Sequence, residues 1–99
     1  MPLERLKKLN TRDCLWIYIL KLLSEKGMHG YIIRNEIQKR FGFRPGTVTA
    51  YKVLYLLTKK GLVKKEEQGG KQVYSITPEG KVTLNRGIDF YQDLIKKLG

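Results

Sequence analysis

Twenty lysines and arginines stand against nine aspartates and glutamates in this 99-residue chain, a formal excess of +11. An excess of that size is chemistry for holding polyanions, either a nucleic-acid backbone or an anionic membrane face. Residues suited to covalent or metal chemistry are sparse by comparison. His29 is the only histidine and Cys14 the only cysteine, and no HExxH, CxxC or second ligand cluster accompanies them. His29, next to Gly30, reads as a hydrogen-bonding residue where a helix begins. Cys14 reads as a small core residue rather than a redox sensor. Asp13 and Glu25 have no paired acid–base context, and Gly69-Gly70 lacks the Lys-Ser or Lys-Thr of a phosphate loop. No enzyme activity, metal or cofactor is expected.

Length and composition set the frame for those cations. Ninety-nine residues suffice for one domain with one modest core, and 41% hydrophobic with 29% charged residues is globular composition. A single cysteine cannot staple a secreted scaffold. The longest apolar run, Cys14 to Leu20, is seven residues, far short of the roughly 20 a bilayer span needs. No secretory signal pattern opens the chain. The expectation is a soluble, cytoplasmic, reduced protein with no membrane role.

The elements that must position the cations can be read from punctuation. Leu3, Leu6 and Leu9 in residues 1–10 suggest a short amphipathic helix or an arm. Thr11 and Asp13 look like the start of a helix from about Arg12 to Glu25. That helix is apolar almost all round, which predicts cover from a partner subunit. A second helix fits from Gly30 or Tyr31 to Phe41, with Ile33, Ile37 and Phe41 on one face. After the Gly42–Arg44 turn, Pro45 is expected in the first turn of a third helix. Ala50, Leu54 and Leu57 mark its buried face, and Gly61 its end. Two helices joined by so short a turn form a helix-turn-helix pattern.

Leu62–Gln68 and Lys71–Thr77 flank Gly69-Gly70 as the arms of a hairpin, with Gln68 opposite Lys71, Lys65 opposite Tyr74 and Val63 opposite Ile76. This is a basic wing. Thr77-Pro78-Glu79 then caps a last helix, Pro78 to Leu98. Its apolar residues Leu84, Ile88, Tyr91, Ile95 and Leu98 follow coiled-coil spacing, widened by Phe90 and Leu94. The fold class expected is mainly α with a small β-hairpin, a winged helix-turn-helix in the order ααα-ββ-α. Residues 11–77 form the helix-turn-helix and wing of a single domain spanning 1–99, and residues 78–98 form a dimerisation helix. The homodimer interface is expected to use Leu15, Trp16, Ile19, Leu84, Ile88, Tyr91, Leu94, Ile95 and Leu98.

The excess charge is not evenly spread. Residues 1–33 carry +3, residues 34–72 carry +7 and residues 73–99 carry +1. A merely solvated lysine surface gives no reason for the last helix to escape the bias. A basic helix-turn-helix with a basic wing is the footprint of a duplex-DNA binder. Arg44, Thr47, Val48, Tyr51 and Lys52 are the helix candidates for that contact, and Lys64, Lys65 and Lys71 those of the wing. Thr47 and Val48 suit a thymine methyl, and Arg44 or Lys52 suits guanine or phosphate. Tyr51 has a second reading, as a boundary tyrosine packed on the preceding helix.

Several stretches together resemble the PadR family of winged-helix repressors: His29-Gly30-Tyr31, Pro45 through Thr49 to Tyr51, Gly61-Leu62-Val63, and Tyr74-Ser75-Ile76-Thr77-Pro78-Glu79-Gly80. The resemblance covers roughly Leu15 to Leu84. It implies a homodimeric regulator, usually a repressor, on palindromic operator DNA, with the third helix in the major groove and the last helix dimerising. Tyr51 would then face DNA with Thr49 beside it. Val48 and Lys52 depart from the Gly and Pro that many members carry, which alters the DNA face. The single short last helix fits the small branch of the family. The resemblance also allows a small-molecule effector, with Trp16 facing an inducer pocket, although plain packing explains Trp16 as well. The competing functions are a winged-helix adaptor for protein contacts and an RNA-binding or small enzymatic domain, for which no aromatic stacking sheet or acid–base pair appears.

Overall fold

Around one apolar helix the chain wraps three others and a small sheet. The structure, a computed structural model, describes all residues 1–99. In chain order the elements are α1 (Pro2–Leu9), α2 (Leu15–Glu25), β1 (Met28–His29), α3 (Gly30–Phe41), α4 (Thr47–Lys59), β2 (Val63–Gln68), β3 (Lys71–Ile76) and α5 (Pro78–Leu98). This is the winged helix-turn-helix, with a three-stranded antiparallel sheet in the order β1-β3-β2.

Helix α2 is the centre of the core. Leu15, Ile17, Ile19, Leu20, Leu22 and Leu23 are all buried, against α3, α4, α5 and β3. The expectation that a partner must cover this helix is therefore corrected for these six residues, which the single chain buries, while Trp16 and Tyr18 stay half-buried. At roughly 1.5–3 kcal/mol for each fully buried aliphatic side chain, this helix is the main source of stability. It also starts later than its sequence suggests. Thr11 does not cap it, because the Thr11 hydroxyl donates back to the Lys7 and Lys8 carbonyls. A turn intervenes, and Cys14 occupies the N-cap without a side-chain bond. The Tyr18 hydroxyl donates to the Asn10 carbonyl at 2.6 Å and ties this turn down. The Tyr18 ring meets Phe41 and Phe43 edge-on.

Helix α3 ends at Gly42, whose φ of 81° gives the left-handed C-cap. Pro45 was expected inside the next helix but precedes it. Gly46 is the N-cap, extended at ψ 152°, and its carbonyl accepts from Ala50 N–H. Pro45 is itself buried, and its carbonyl accepts from Arg34 Nε at 2.9 Å.

The wing has the register read from sequence, Val63↔Ile76, Lys65↔Tyr74 and Gln68↔Lys71. Gly69 and Gly70 both have positive φ, as the two-residue turn requires. The strands begin at Val63 and end at Ile76, one residue inside the expected arms. Strand β1, which sequence reading did not find, pairs Met28 with Tyr74 and His29 with Val73.

Thr77 caps α5 as expected: its hydroxyl accepts from Gly80 N–H and donates to the Gly61 carbonyl. The apolar residues of α5 divide into two sets. Leu84, Ile88 and Tyr91 belong to or pack against the core, and Gly87 lets α5 approach Ile17 and Trp16. Phe90, Leu94, Ile95 and Leu98 are exposed. Leu15, Ile19 and Leu84 are only 1%, 0% and 5% exposed in the single chain. Their expected place in a dimer interface is corrected, since intramolecular packing leaves them no surface for a partner.

Candidate nucleic-acid interface

The short turn after α3 presents the first half of α4 outward, because Ala50, Leu54 and Leu57 face α2 and leave the opposite side free. Thr47, Val48, Thr49 and Lys52 are all exposed there, Val48 at 81%. Tyr51 is exposed but not free. A Cβ at Gly30 would stand 2.6 Å from Tyr51 Cε1 and 2.8 Å from its hydroxyl oxygen. The glycine at the start of α3 thus makes room for the Tyr51 ring, which joins a packing role to an exposed position. Burial pushes the phenol of the neighbouring Tyr74 up, and Tyr51 adds to that shift.

Arg44 is folded onto α3, where Nη1 donates to Asn35 Oδ1 at 2.6 Å and Gln38 Oε1 at 3.0 Å. It also lines a cleft of about 550 Å³ at the start of α4, shared with Lys8, Arg12, Asp13, Leu15, Pro45, Gly46 and Thr49. Lys8 and Arg12 come from the first helix and the turn after it. Sequence reading missed them because only the fold brings them to α4.

The wing lysines separate by strand alternation. Lys65 shares the face of Val63 and Tyr74, toward α4. With Tyr55, Thr58, Lys59 and Tyr74 it lines a second cleft, of about 310 Å³. Lys64 points to the other face, 3.0 Å from Glu66. Lys71 Nζ lies 5.6 Å from the centroid of the Tyr31 ring, which in turn stacks on His29. His29 Nδ1 donates to the Gln72 carbonyl at 3.3 Å. This stack ties the wing to the start of α3. Tyr55 and Lys59, also missed, follow Tyr51 at four-residue intervals, so helical spacing alone would have placed them along the same side.

The family model for PadR-like transcriptional regulators matches residues 19–86, the stretch that holds α4 and the wing. The chain belongs to the PadR-like family. Solved relatives agree with that assignment. A transcriptional regulator from Clostridium thermocellum is similar with a TM-score of 0.78 and 28% identity, covering 88% of this chain and 87% of that one. Bacillus subtilis PadR in complex with operator DNA is similar with a TM-score of 0.66 and 27% identity, covering 76% of this PadR-like chain and 46% of that one. An uncharacterised 37.1 kDa protein of a Streptomyces fradiae transposon is 33% identical over 79 residues, 79% of this chain. The chain spans only 23% of the length of that relative. No helix is long and apolar enough to cross a membrane.

Proposed function

We propose that this PadR-like protein is a sequence-specific regulator of transcription that binds duplex DNA as a homodimer and acts as a repressor. The observation that carries the reading is the pairing of an exposed, acid-free first half of α4 (Thr47, Val48, Thr49, Tyr51 and Lys52) with a basic wing beside it. A helix of that width fits the major groove, where Thr47 and Val48 suit thymine methyls and Lys52 suits guanine. Lys65 and Lys71 suit the phosphates that set register without reading sequence. Arg44 serves the same contact from its seat on Asn35 and Gln38. Lys64, held by Glu66 at 3.0 Å, contributes least of the wing lysines. The operator complex formed by the Bacillus subtilis relative supports this assignment.

The homodimer is supported by apolar surface that the single chain leaves open. Phe90, Leu94, Ile95 and Leu98 of α5 are exposed, as are Leu3, Leu6 and Leu9 of α1. Ile88, Tyr91 and Trp16 remain partly uncovered beside them. A second copy that buries these residues would place two α4 helices on one duplex.

Competition binding tests the reading. A labelled duplex should be displaced by duplex DNA far better than by single-stranded RNA. Thr47→Ala or Lys52→Ala should change the preference among duplex sequences, by about 1–3 kcal/mol where a base edge is contacted. Better competition by single-stranded RNA, or no duplex binding, would hand the protein to the RNA or adaptor reading.

A further inference from the structure

The cleft between α4 and the wing is a built cavity of about 310 Å³, lined by Tyr55, Thr58, Lys59, Lys65 and Tyr74. Tyr55 and Lys59 sit one turn apart on the exposed side of α4. Lys65 and Tyr74 are directly paired across β2 and β3, so their side chains leave the sheet on the same face. Two cations and two phenols therefore converge from two elements, and no carboxylate lines the space. Lys64 has Glu66 beside it, whereas neither Lys59 nor Lys65 forms an ion pair within the chain.

Tyr74 supplies a second, independent indication. It is only 8% exposed, yet its hydroxyl makes no hydrogen bond within the chain, and no buried side-chain oxygen or nitrogen is sealed away unpaired. The hydroxyl therefore keeps an opening to solvent at a site whose walls are cationic. Burial holds Tyr74 protonated to higher pH than an ordinary tyrosine, which preserves it as a donor. Thr58 is not free for that role, because its hydroxyl donates to the Leu54 carbonyl.

We propose that this cleft is a phosphate-diester site, in which Lys59, Lys65 and the hydroxyls of Tyr55 and Tyr74 grip one backbone phosphate of the bound duplex at the junction of helix and wing. The assignment rests on the DNA-binding reading above and adds to it residues outside the first half of α4. It gives the junction a purpose beyond packing. A phosphate held from both elements fixes the angle of the wing relative to the helix, and so fixes the register of α4 in the groove.

Binding of a random-sequence duplex by wild type, Lys59→Ala, Tyr55→Phe and Tyr74→Phe is the test, measured across a range of salt concentrations. Lys59 and Tyr55 are exposed on a helix, so their variants keep the fold. Lys59→Ala should weaken binding about tenfold, the scale of a hydrogen bond to a charged group. It should also flatten the slope of log K against log salt by about 0.9 for each cleft that loses its phosphate. The two phenylalanine variants should weaken binding while leaving the slope nearly unchanged, since they remove a donor and no charge. Steep, salt-dependent binding by wild type that all three variants retain in full would overturn the cleft assignment alone. Absence of duplex binding by wild type would overturn the DNA reading itself. Titration with inorganic phosphate, followed by NMR at these residues, separates the source: millimolar phosphate binding that depends on Lys59, with duplex affinity unaffected by its loss, would assign the cleft to a free anion and overturn the proposal.

Discussion

Two glycines show how single atoms set the site, and they make opposite predictions. A Cβ at Gly80 would collide with the Leu62 carbonyl and stand 2.7 Å from Ile76 Cγ1. Both belong to the base of the wing and neither can move alone. Gly80→Ala should therefore destabilise the fold by about 1–3 kcal/mol or more, the cost of overpacking, read as a lower midpoint in chemical denaturation. At Gly30 the obstacle is the end of the Tyr51 side chain, which can swing outward. Gly30→Ala should cost little stability and should instead change duplex affinity, measured by fluorescence anisotropy. Tyr91 makes a separate prediction about alkaline pH. Burial, with the Cys14 thiol adding to it, pushes its phenol up to about 12. The folded state thus holds a proton that the unfolded chain releases near pH 10. Stability from this group is complete below pH 10 and is lost as pH climbs toward 12. Tyr91→Phe should flatten that decline in a series of urea melts.

At the scale of elements, α5 is divided along its length by what covers it. Its first half is anchored by Leu84 in the core, and from Gln92 onward every residue is exposed. If a second copy covers the outer stripe, Leu94→Glu with Ile95→Glu should dissociate the dimer, because buried unpaired carboxylates are costly. Sedimentation equilibrium should then fall from about twice the 11.5 kDa chain mass to a single mass, with the fold intact. A wild type already monomeric at micromolar concentration would contradict the dimer. The same helix marks what was legible in the sequence. Its cap, its span and its apolar spacing were all readable, because Thr77-Pro78 and a 4-3 rhythm are local signals. Which of those apolar residues the chain itself would cover was not, because Leu84 and Ile95 look alike until α2 is placed beside one of them. The wing register was legible for the same local reason, through Gly69-Gly70. Strand β1 was not, since two residues carry no period and owe their conformation to β3. The α4 face was legible as a basic surface. Its neighbours Lys8, Arg12 and Lys65 converge on it only through tertiary packing.

For the whole molecule, the governing feature is charge placed by the fold. Of the +11 total, +7 lies in residues 34–72, which run from α3 through α4 to the start of the wing's second strand. These cations extend over α3, α4 and both strands of the wing, and α5 carries almost no net charge. A surface of that kind binds by releasing counterions from a polyanion, so the central claim is best tested by the salt dependence of duplex binding. With each subunit of a dimer offering several of Arg44, Lys52, Lys59, Lys65 and Lys71, log K should fall against log salt with a slope of roughly −5 to −10. A slope near zero, with affinity unchanged from low to physiological salt, would contradict the claim that this face grips the DNA backbone.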